Sequence, residues 1–236
     1  MSLLMSMPAV QLHPDAVCLN VVLSACERAR QWQAAVALLH GIGDISVEAD
    51  LISCNTTMAA CAEAHVWQQS IELLQRAKLA RAPVDVVTYT TAITACSRRG
   101  MWVDGLQLLS EARAGAIELN DVCMGAAIAA CEPHWPAALL LLQEWREPTE
   151  VMVNLAITAA GRGARWDIAL ELVQGMQQQS LHANIVTYNS TFSAMQRGSA
   201  WQQAVALLST VRKEERGLEA DTLTFGPIIL ACATAA

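Results

Sequence analysis

Hydrophobic positions in this chain recur with helical spacing, in pairs of stretches that are separated by short polar turns. In one pair, Tyr89, Ile93 and Cys96 follow each other at intervals of four and three residues, which places them on one face of a helix. A second stretch begins at Trp102 with the same spacing, and the turn between the two ends at Gly100. The pattern predicts a helix–turn–helix unit whose apolar faces need neighbouring units to cover them.

The unit recurs along the chain, most often with a period of 35 residues. Tryptophan opens the second helix of the unit, and we interpret this column as packing between helices. The tenth position is always alanine, which indicates a close approach of helices. The tryptophans are Trp32, Trp67, Trp102, Trp166 and Trp201, and the alanines are Ala25, Ala60, Ala95, Ala130, Ala159, Ala194 and Ala231. The frame divides the chain into an N-terminal segment at 1–15, repeats at 16–50, 51–85, 86–120, 121–149 (short and degenerate), 150–184 and 185–221, and a partial repeat at 222–236.

These repeats predict an all-α, right-handed superhelical solenoid of helical hairpins. Hydrophobic residues make up 54% of the chain, yet an apolar run such as 137–142 is far shorter than the roughly 18 residues that a membrane span needs. No membrane partner is therefore expected. Four cysteines lie 35 residues apart and there is no Cys-x-x-Cys pair, so we expect reduced thiols inside a cell rather than disulfides.

The repeats that open with Val-Val-Thr-Tyr-Thr (86–90) or Ile-Val-Thr-Tyr-Asn (185–189), and that end on Asp or Asn, resemble the pentatricopeptide repeat family. The resemblance covers residues 16–236. The tetratricopeptide repeat fits less well, since its period is about 34 residues and its Trp-Leu-Gly-Tyr pattern differs. Members of the pentatricopeptide family are organellar RNA-binding proteins in which each repeat recognises one base of single-stranded RNA. The resemblance therefore implies a P-type array in a plastid or mitochondrion that binds a transcript during processing, stabilisation, splicing or translation. The resemblance also implies other organellar RNA-processing proteins as partners.

In the family, the fifth and the last residue of each repeat select the base. By resemblance the pairs here are Asn20 with Asp50, Asn55 with Asp85, Thr90 with Asn120, Asn154 with Asn184, and Asn189 with Asp221. The family rules then imply the RNA sequence 5′-UUANYU. The fourth repeat offers Gly125 with Thr149, which departs from the pattern. The second residue of each repeat packs against bases in the family, and here it is Val17, Ile52, Val87, Val122, Val151 and Val186.

Two of these columns have a second interpretation that the residues leave open. Asp or Asn before a helix is a preferred N-cap, so the last position could serve capping alone. Asn also offers both a donor and an acceptor to a base edge. The thirteenth position is mostly arginine, which in the family contacts phosphates, although a cation also suits the C-terminus of a helix. These arginines are Arg28, Arg98, Arg162 and Arg197, and Glu63 stands in the second repeat.

No catalytic constellation stands out. The five histidines share no register, and Cys131-Glu-Pro-His134 has no second pair of metal ligands. Gly161-Arg-Gly163 lacks the lysine of a phosphate-binding loop. We therefore expect a binding protein without enzymatic activity, metal, cofactor or small-molecule substrate. The net charge of −7 and the degenerate fourth repeat favour one alternative, a helical scaffold that binds other proteins and no RNA.

Overall fold

The computed structural model describes residues 16–41, 51–179, 181–214 and 222–235, and these residues form helices and turns only. The predictions for Asp50, Asp221 and the N-terminal segment 1–15 concern residues outside the described ranges. The helices are α1 (Ala16–Arg28), α2 (Trp32–Gly41), α3 (Leu51–Glu63), α4 (Trp67–Leu79), α5 (Val86–Ser97), α6 (Trp102–Ala114), α7 (Asp121–Ala130), α8 (Trp135–Glu144), α9 (Glu150–Arg162), α10 (Trp166–Gln178), α11 (Ile185–Arg197), α12 (Trp201–Glu214) and α13 (Thr222–Ala235).

The helices pair into hairpins as the sequence predicts. Tryptophan is the first residue of each second helix, from α2 to α12. The degenerate fourth repeat keeps both of its helices, but each is only 10 residues long. Pro136 lies in the first turn of α8, where a missing backbone N–H costs nothing.

A left-handed residue ends the first helix of each full-length repeat. The φ angle is positive at the fifteenth position, at Arg30, His65, Gly100, Ala164 and Ser199. The residue that follows donates its backbone N–H back into the helix, as Gln31 does to the Cys26 carbonyl over 2.9 Å. This arrangement satisfies carbonyl groups that would otherwise lack a partner and reverses the chain toward the second helix.

The chain divides into two compact units, Met1–Ala126 and Ala127–Ala236. In the first unit α1 packs on α3 and α3 packs on α5, while α2 and α4 pack against the first helix of the next repeat. In the second unit α9 packs on α11 and α11 packs on α13. The second helices α8, α10 and α12 each pack against the first helix of the next repeat. Each unit is therefore a stack of helical hairpins, and the chain is an all-α repeat solenoid as predicted.

The alanine column marks the approach of first helices within each unit. Six of its members are buried and a seventh, Ala25, is exposed. A Cβ added to Gly161 of the fifth repeat would lie 3.0 Å from the Cβ of Ala194 in the sixth repeat. The alanine of one repeat therefore packs against the first helix of the preceding repeat. Ala25 departs from the prediction because α1 belongs to the first repeat that the structure describes, and no described helix covers that side of it.

The periodic cysteines are core residues. Cys26, Cys61, Cys96 and Cys131 are buried with free thiols. Burial raises the pKa of Cys61 and of Cys131 to about 11. Burial, with a smaller contribution from Asp104, raises that of Cys96 to about 12. Among the described helices, none combines the length and the apolar character that crossing a bilayer requires.

Candidate nucleic-acid interface

The first helix of each of the six repeats exposes an aliphatic side chain at its second position. These second-position residues are 52% to 68% exposed, in contrast to the buried fourth, eighth and eleventh positions of most repeats. Apolar side chains left on the surface at the same place in six repeats form a regular series of contact points. They are Val17, Ile52, Val87, Val122, Val151 and Val186.

The fifth-position side chains lie one helical turn further along and are half-buried. Val17, Asn20 and Arg28 line one open groove of about 840 Å³ on α1, so three of the predicted contact columns meet there. Val186 and Asn189 line a second groove, of about 470 Å³, whose other wall belongs to α13. Within each unit the second and fifth positions therefore lie on the same face of the first helices.

The fifth-position asparagines differ in their hydrogen bonds. The Ser53 hydroxyl donates to the Asn20 Oδ1 over 2.7 Å. The Oδ1 atoms of Asn55, Asn154 and Asn189 are shielded from solvent and accept no hydrogen bond from the described residues. A buried acceptor without a partner costs about 1–3 kcal/mol, so these amides have hydrogen-bonding capacity that the free protein leaves unused.

The last-position residues that the structure describes are all N-caps. Asp85 Oδ1 accepts from the Thr88 backbone N–H over 2.9 Å, and Asn120 Oδ1 accepts from Cys123 over 2.9 Å. Asn184 Oδ1 accepts from Val186 and Thr187 at 3.0 and 3.1 Å. The last residue of the repeat therefore caps the helix that follows. In Asp85, Asn120 and Asn184 the cap uses only Oδ1, one of the two terminal atoms of the side chain. The other atom is Oδ2, an acceptor, in Asp85, and Nδ2, a donor, in Asn120 and Asn184.

The thirteenth-position arginines fall into two classes. Arg98 forms a bidentate ion pair with Glu63 of the preceding repeat, in which Arg98 Nη1 lies 3.3 Å from Glu63 Oε2 and Nη2 contacts Oε1. Arg162 Nε lies 2.6 Å from Glu132 Oε1. Arg28 and Arg197 are exposed, and within the described ranges neither forms an ion pair. Two of the four predicted phosphate contacts are therefore engaged with carboxylates in the free protein.

The fourth repeat lacks the polar pair. A Cβ built on Gly125 would meet no atom within 4 Å, so the position offers open space and no functional group. Thr149 is an N-cap, and its Oγ1 accepts from the Met152 backbone N–H over 3.4 Å. The repeat retains exposed Val122 but has no side chain at the fifth position that could select a base.

Sequence reasoning missed the third position of the repeat. Ser53, Thr88 and Thr187 are fully buried, and their hydroxyls donate to base-selecting candidates of the preceding repeat. The sequence does contain a signal for this position: Ser or Thr recurs at the third residue of the repeat, which helical periodicity places toward the interior. Over the ranges that the structure covers, no group of three or more His, Cys, Asp or Glu side chains could hold a metal ion.

Comparison with known proteins places this architecture among helical-repeat proteins. The family model described as PPR repeat matches residues 87–114. A segment of 75 residues is 36% identical to the pentatricopeptide repeat-containing protein 10, chloroplastic, of Zea mays; it covers 31% of this chain and 9% of that protein.

Solved structures resemble the chain over nearly its whole length. The crystal structure of the maize pentatricopeptide repeat protein PPR10 matches 98% of this chain and 33% of its own, with a TM-score of 0.79 and 19% identity. PPR10 in complex with an 18-nucleotide psaJ RNA element matches with a TM-score of 0.54 and 22% identity, over 97% of this chain and 32% of that one. The PPR domain of Arabidopsis thaliana protein-only RNase P 1, in complex with tRNA, matches 75% of this chain and 95% of that domain, with a TM-score of 0.60 and 11% identity.

The chain is thus an α-helical repeat solenoid that spans about one third of the maize structures it matches. Residues 87–114 match the pentatricopeptide repeat model, and the chain has the fold of pentatricopeptide repeat proteins.

Proposed function

We propose that this chain binds single-stranded RNA with base selectivity, one base per repeat, and has no catalytic step of its own. The base-selecting pairs are Asn20 with Asp50, Asn55 with Asp85, Thr90 with Asn120, Asn154 with Asn184, and Asn189 with Asp221. The second-position aliphatic residues pack against the base faces. The repeats together recognise 5′-UUANYU.

The observation that carries the proposal is the unused amide oxygen of Asn55, Asn154 and Asn189. The three residues occupy one column, next to an exposed aliphatic side chain in each repeat. Polar groups of a stable core are normally paired, so the same unmet capacity at one repeat position supports a ligand that supplies the partner once rotation about the last side-chain bond turns the amide toward it. Bases supply both N–H donors and carbonyl or ring-nitrogen acceptors.

The capping geometry provides a physical basis for base choice. Because the cap occupies Oδ1, Asp85 has an acceptor left over, which matches the N3–H donor of uracil. Asn120 and Asn184 have a donor left over, which matches a ring acceptor such as N1 of adenine or N3 of cytosine. A last-position change between Asp and Asn therefore reverses the hydrogen-bond polarity offered to the base while it keeps the cap.

Known proteins of this fold support the choice of ligand and location. The titles of two solved structures name RNA as the bound partner, one a psaJ element and the other a tRNA. The curated maize relative is chloroplastic. We place the chain in a plastid or mitochondrion, where binding protects or remodels a transcript together with other RNA-processing proteins.

A binding comparison tests the proposal. The chain is titrated with 5′-UUAACU RNA and with a scrambled oligonucleotide of the same composition, at low salt, by gel shift or fluorescence anisotropy. The first RNA is expected to bind more tightly. The double variant Thr90→Asn with Asn120→Asp is expected to change the preferred third base from A to U. Equal affinity for both RNAs, or no binding to either, would refute the proposal.

A protein-binding scaffold is the second candidate, and the arginine pairs favour it. Arg98 and Arg162 pair with carboxylates, which occupies two of the four predicted phosphate contacts on a chain with a net charge of −7. Exposed ion pairs are worth only about 0–1 kcal/mol, however, so a phosphate can displace the carboxylate at small cost. RNA binding through several phosphates predicts an affinity that falls steeply with salt, and peptide binding through apolar contacts does not.

A further inference from the structure

The third position of the repeat holds a buried hydroxyl at several repeat junctions. Ser53, Thr88 and Thr187 have no solvent-exposed surface, although each is polar. A buried hydroxyl needs an acceptor within the protein. The identity of that acceptor therefore indicates which side chain the hydroxyl holds in place.

In each case the acceptor is a base-selecting residue of the preceding repeat. Ser53 Oγ donates to Asn20 Oδ1 over 2.7 Å. Thr88 Oγ1 donates to Asp85 Oδ1 over 2.8 Å. Thr187 Oγ1 donates to Asn184 Oδ1 over 3.3 Å. The Ser53 bond joins two stacked helices, 33 residues apart in sequence. The Thr88 and Thr187 bonds lie within the N-cap of their own helix, and Thr187 with Asn184 forms a capping box. By the repeat frame, each acceptor is the fifth or last residue of the preceding repeat.

Other buried hydroxyls on the same helices behave differently. Thr57 Oγ1 donates to the Ser53 carbonyl over 2.8 Å, and Thr191 Oγ1 donates to the Thr187 carbonyl over 2.8 Å. Both bonds return to a backbone carbonyl of the same helix and reach no base-selecting side chain, which is the usual arrangement for a mid-helix threonine. Contact with the base-selecting pair is therefore a property of the third position rather than of buried hydroxyls in general.

We propose that the third-position hydroxyl is a positioning residue for base selection: it holds the acceptor oxygen of the preceding repeat's base-selecting side chain against the protein. The inference rests on the proposed function. An asparagine amide has a donor at one end and an acceptor at the other, and rotation about its last bond exchanges them. With Oδ1 held inward, the polarity directed at the base is constant. Without the hydroxyl, Asn184 Oδ1 keeps only its bonds from the Val186 and Thr187 backbone N–H groups. The second orientation then becomes more accessible, and the repeat tolerates the wrong base more often.

Repeats without the hydroxyl provide an internal contrast. The third position is Cys123 in the fourth repeat and Met152 in the fifth. The Asn120 cap therefore depends on the backbone N–H of Cys123, and the Cys123 thiol has a side-chain hydrogen bond with Thr90, a weaker contact than a hydroxyl makes. The Thr90 and Asn120 pair should select its base less sharply than the pairs that a hydroxyl holds, and Cys123→Thr should sharpen that selection.

The experiment uses the full chain and RNAs of the form 5′-UUAAXU, with X as C, U, A or G. The variant Thr187→Val removes the hydroxyl and keeps the shape of the side chain. Thr191→Val is the matched control, since it removes a buried hydroxyl one turn away on the same helix. Thr187→Ser restores the donor. Thermal unfolding of each variant measures stability separately from RNA affinity.

We expect Thr187→Val to reduce the ratio between the affinities for the best and second-best X by roughly threefold to tenfold, which corresponds to one hydrogen bond. Thr191→Val should leave that ratio unchanged, and Thr187→Ser should restore it. A second RNA series varies the third base, and Cys123→Thr should select A there more strongly than the unmodified chain does. This result does not depend on whether Thr187→Val folds.

Two failures are distinguishable. If the unmodified chain binds none of the RNAs, or binds all four X equally, the proposed function is wrong. If it selects a base but Thr187→Val and Thr191→Val have the same ratio as the unmodified chain, the third-position inference is overturned while the proposed function stands. An unchanged third-base preference in Cys123→Thr also counts against the inference.

Discussion

Trp135 lies directly over Gly163 of the next repeat. A Cβ built on Gly163 would come within 2.3 Å of the Trp135 Cδ1 atom and 2.7 Å of Nε1, closer than a real side-chain carbon can lie. Gly198 stands in the same relation to Trp166, at 2.4 Å from Cδ1. The two junctions show that the tryptophan which begins a second helix packs on the turn of the following repeat. The prediction that the tryptophan column serves packing is therefore confirmed for Trp166, and Trp135 of the fourth repeat packs in the same way.

The first prediction follows from this contact. Gly163→Ala should destabilise the chain by about 1–3 kcal/mol, because the indole ring has to shift within a packed junction. Urea or thermal unfolding monitored by tryptophan fluorescence measures the change. Gly175→Ala is the control, since a Cβ there would meet nothing within 4 Å and alanine favours a helix by about 0.5–1 kcal/mol. If both substitutions stabilise the chain to the same extent, the Trp135 contact does not restrict the turn.

The second prediction concerns the left-handed turn position. Ala164 has a φ of 54°, a region in which a Cβ is unfavourable, whereas Gly100 occupies the equivalent position with a φ of 67°. Ala164→Gly should stabilise the chain by about 0.5–1 kcal/mol after the entropic cost of glycine is subtracted, and Gly100→Ala should destabilise it by a similar amount. Unfolding midpoints of the two variants should move in opposite directions. Movement in the same direction would contradict the assignment of strain to this position.

Periodicity was enough to predict the helices and their stacking. Leu19, Leu23 and Cys26 are buried on one face of α1. Their spacing predicts this, because the 3.6-residue period of a helix places residues spaced by four and three on the same face. Ala25 was predicted to lie at a close contact and is exposed, since the sequence of one repeat does not indicate what covers it.

The candidate site was only partly predictable. The columns of Asn55 and Asp85 were identified, but their hydrogen bonds were not: Asp85 is a cap and the Asn55 oxygen accepts no hydrogen bond from the described residues. Ion pairs such as Arg98 with Glu63 join residues 35 positions apart, and only the packing of α3 on α5 brings them together. The hydroxyl of Ser53 was missed for the same reason, because its partner lies 33 residues away.

The third prediction concerns alkaline pH. Burial raises the thiol pKa of Cys61 and Cys131 to about 11 from an ordinary value of 9.0, so the unfolded chain releases these protons before the folded chain does. Their contribution to stability is complete below pH 9 and is lost as the pH rises from 9 toward 11. Unfolding free energies measured across this range should therefore decrease. Native thiol labelling at pH 8 should modify exposed Cys18 well before Cys61, and equal labelling rates would contradict the burial of Cys61.

The fourth prediction tests whether the atom that a cap leaves over determines the base. Asn184 caps α11 through Oδ1 and has Nδ2 left over, a donor that suits N3 of cytosine. Asn184→Asp keeps the cap, because Asp and Asn cap helices equally well, but replaces that donor with an acceptor. Preference at the fifth base should move from C to U by about tenfold, at the lower end of the 1–3 kcal/mol that one base contact contributes. Asp85→Asn is the reciprocal control and should move the second base from U toward C. Competition binding with RNAs that differ at one base measures both shifts. If the two variants alter affinity for every RNA equally, the last residue stabilises the helix and does not select the base.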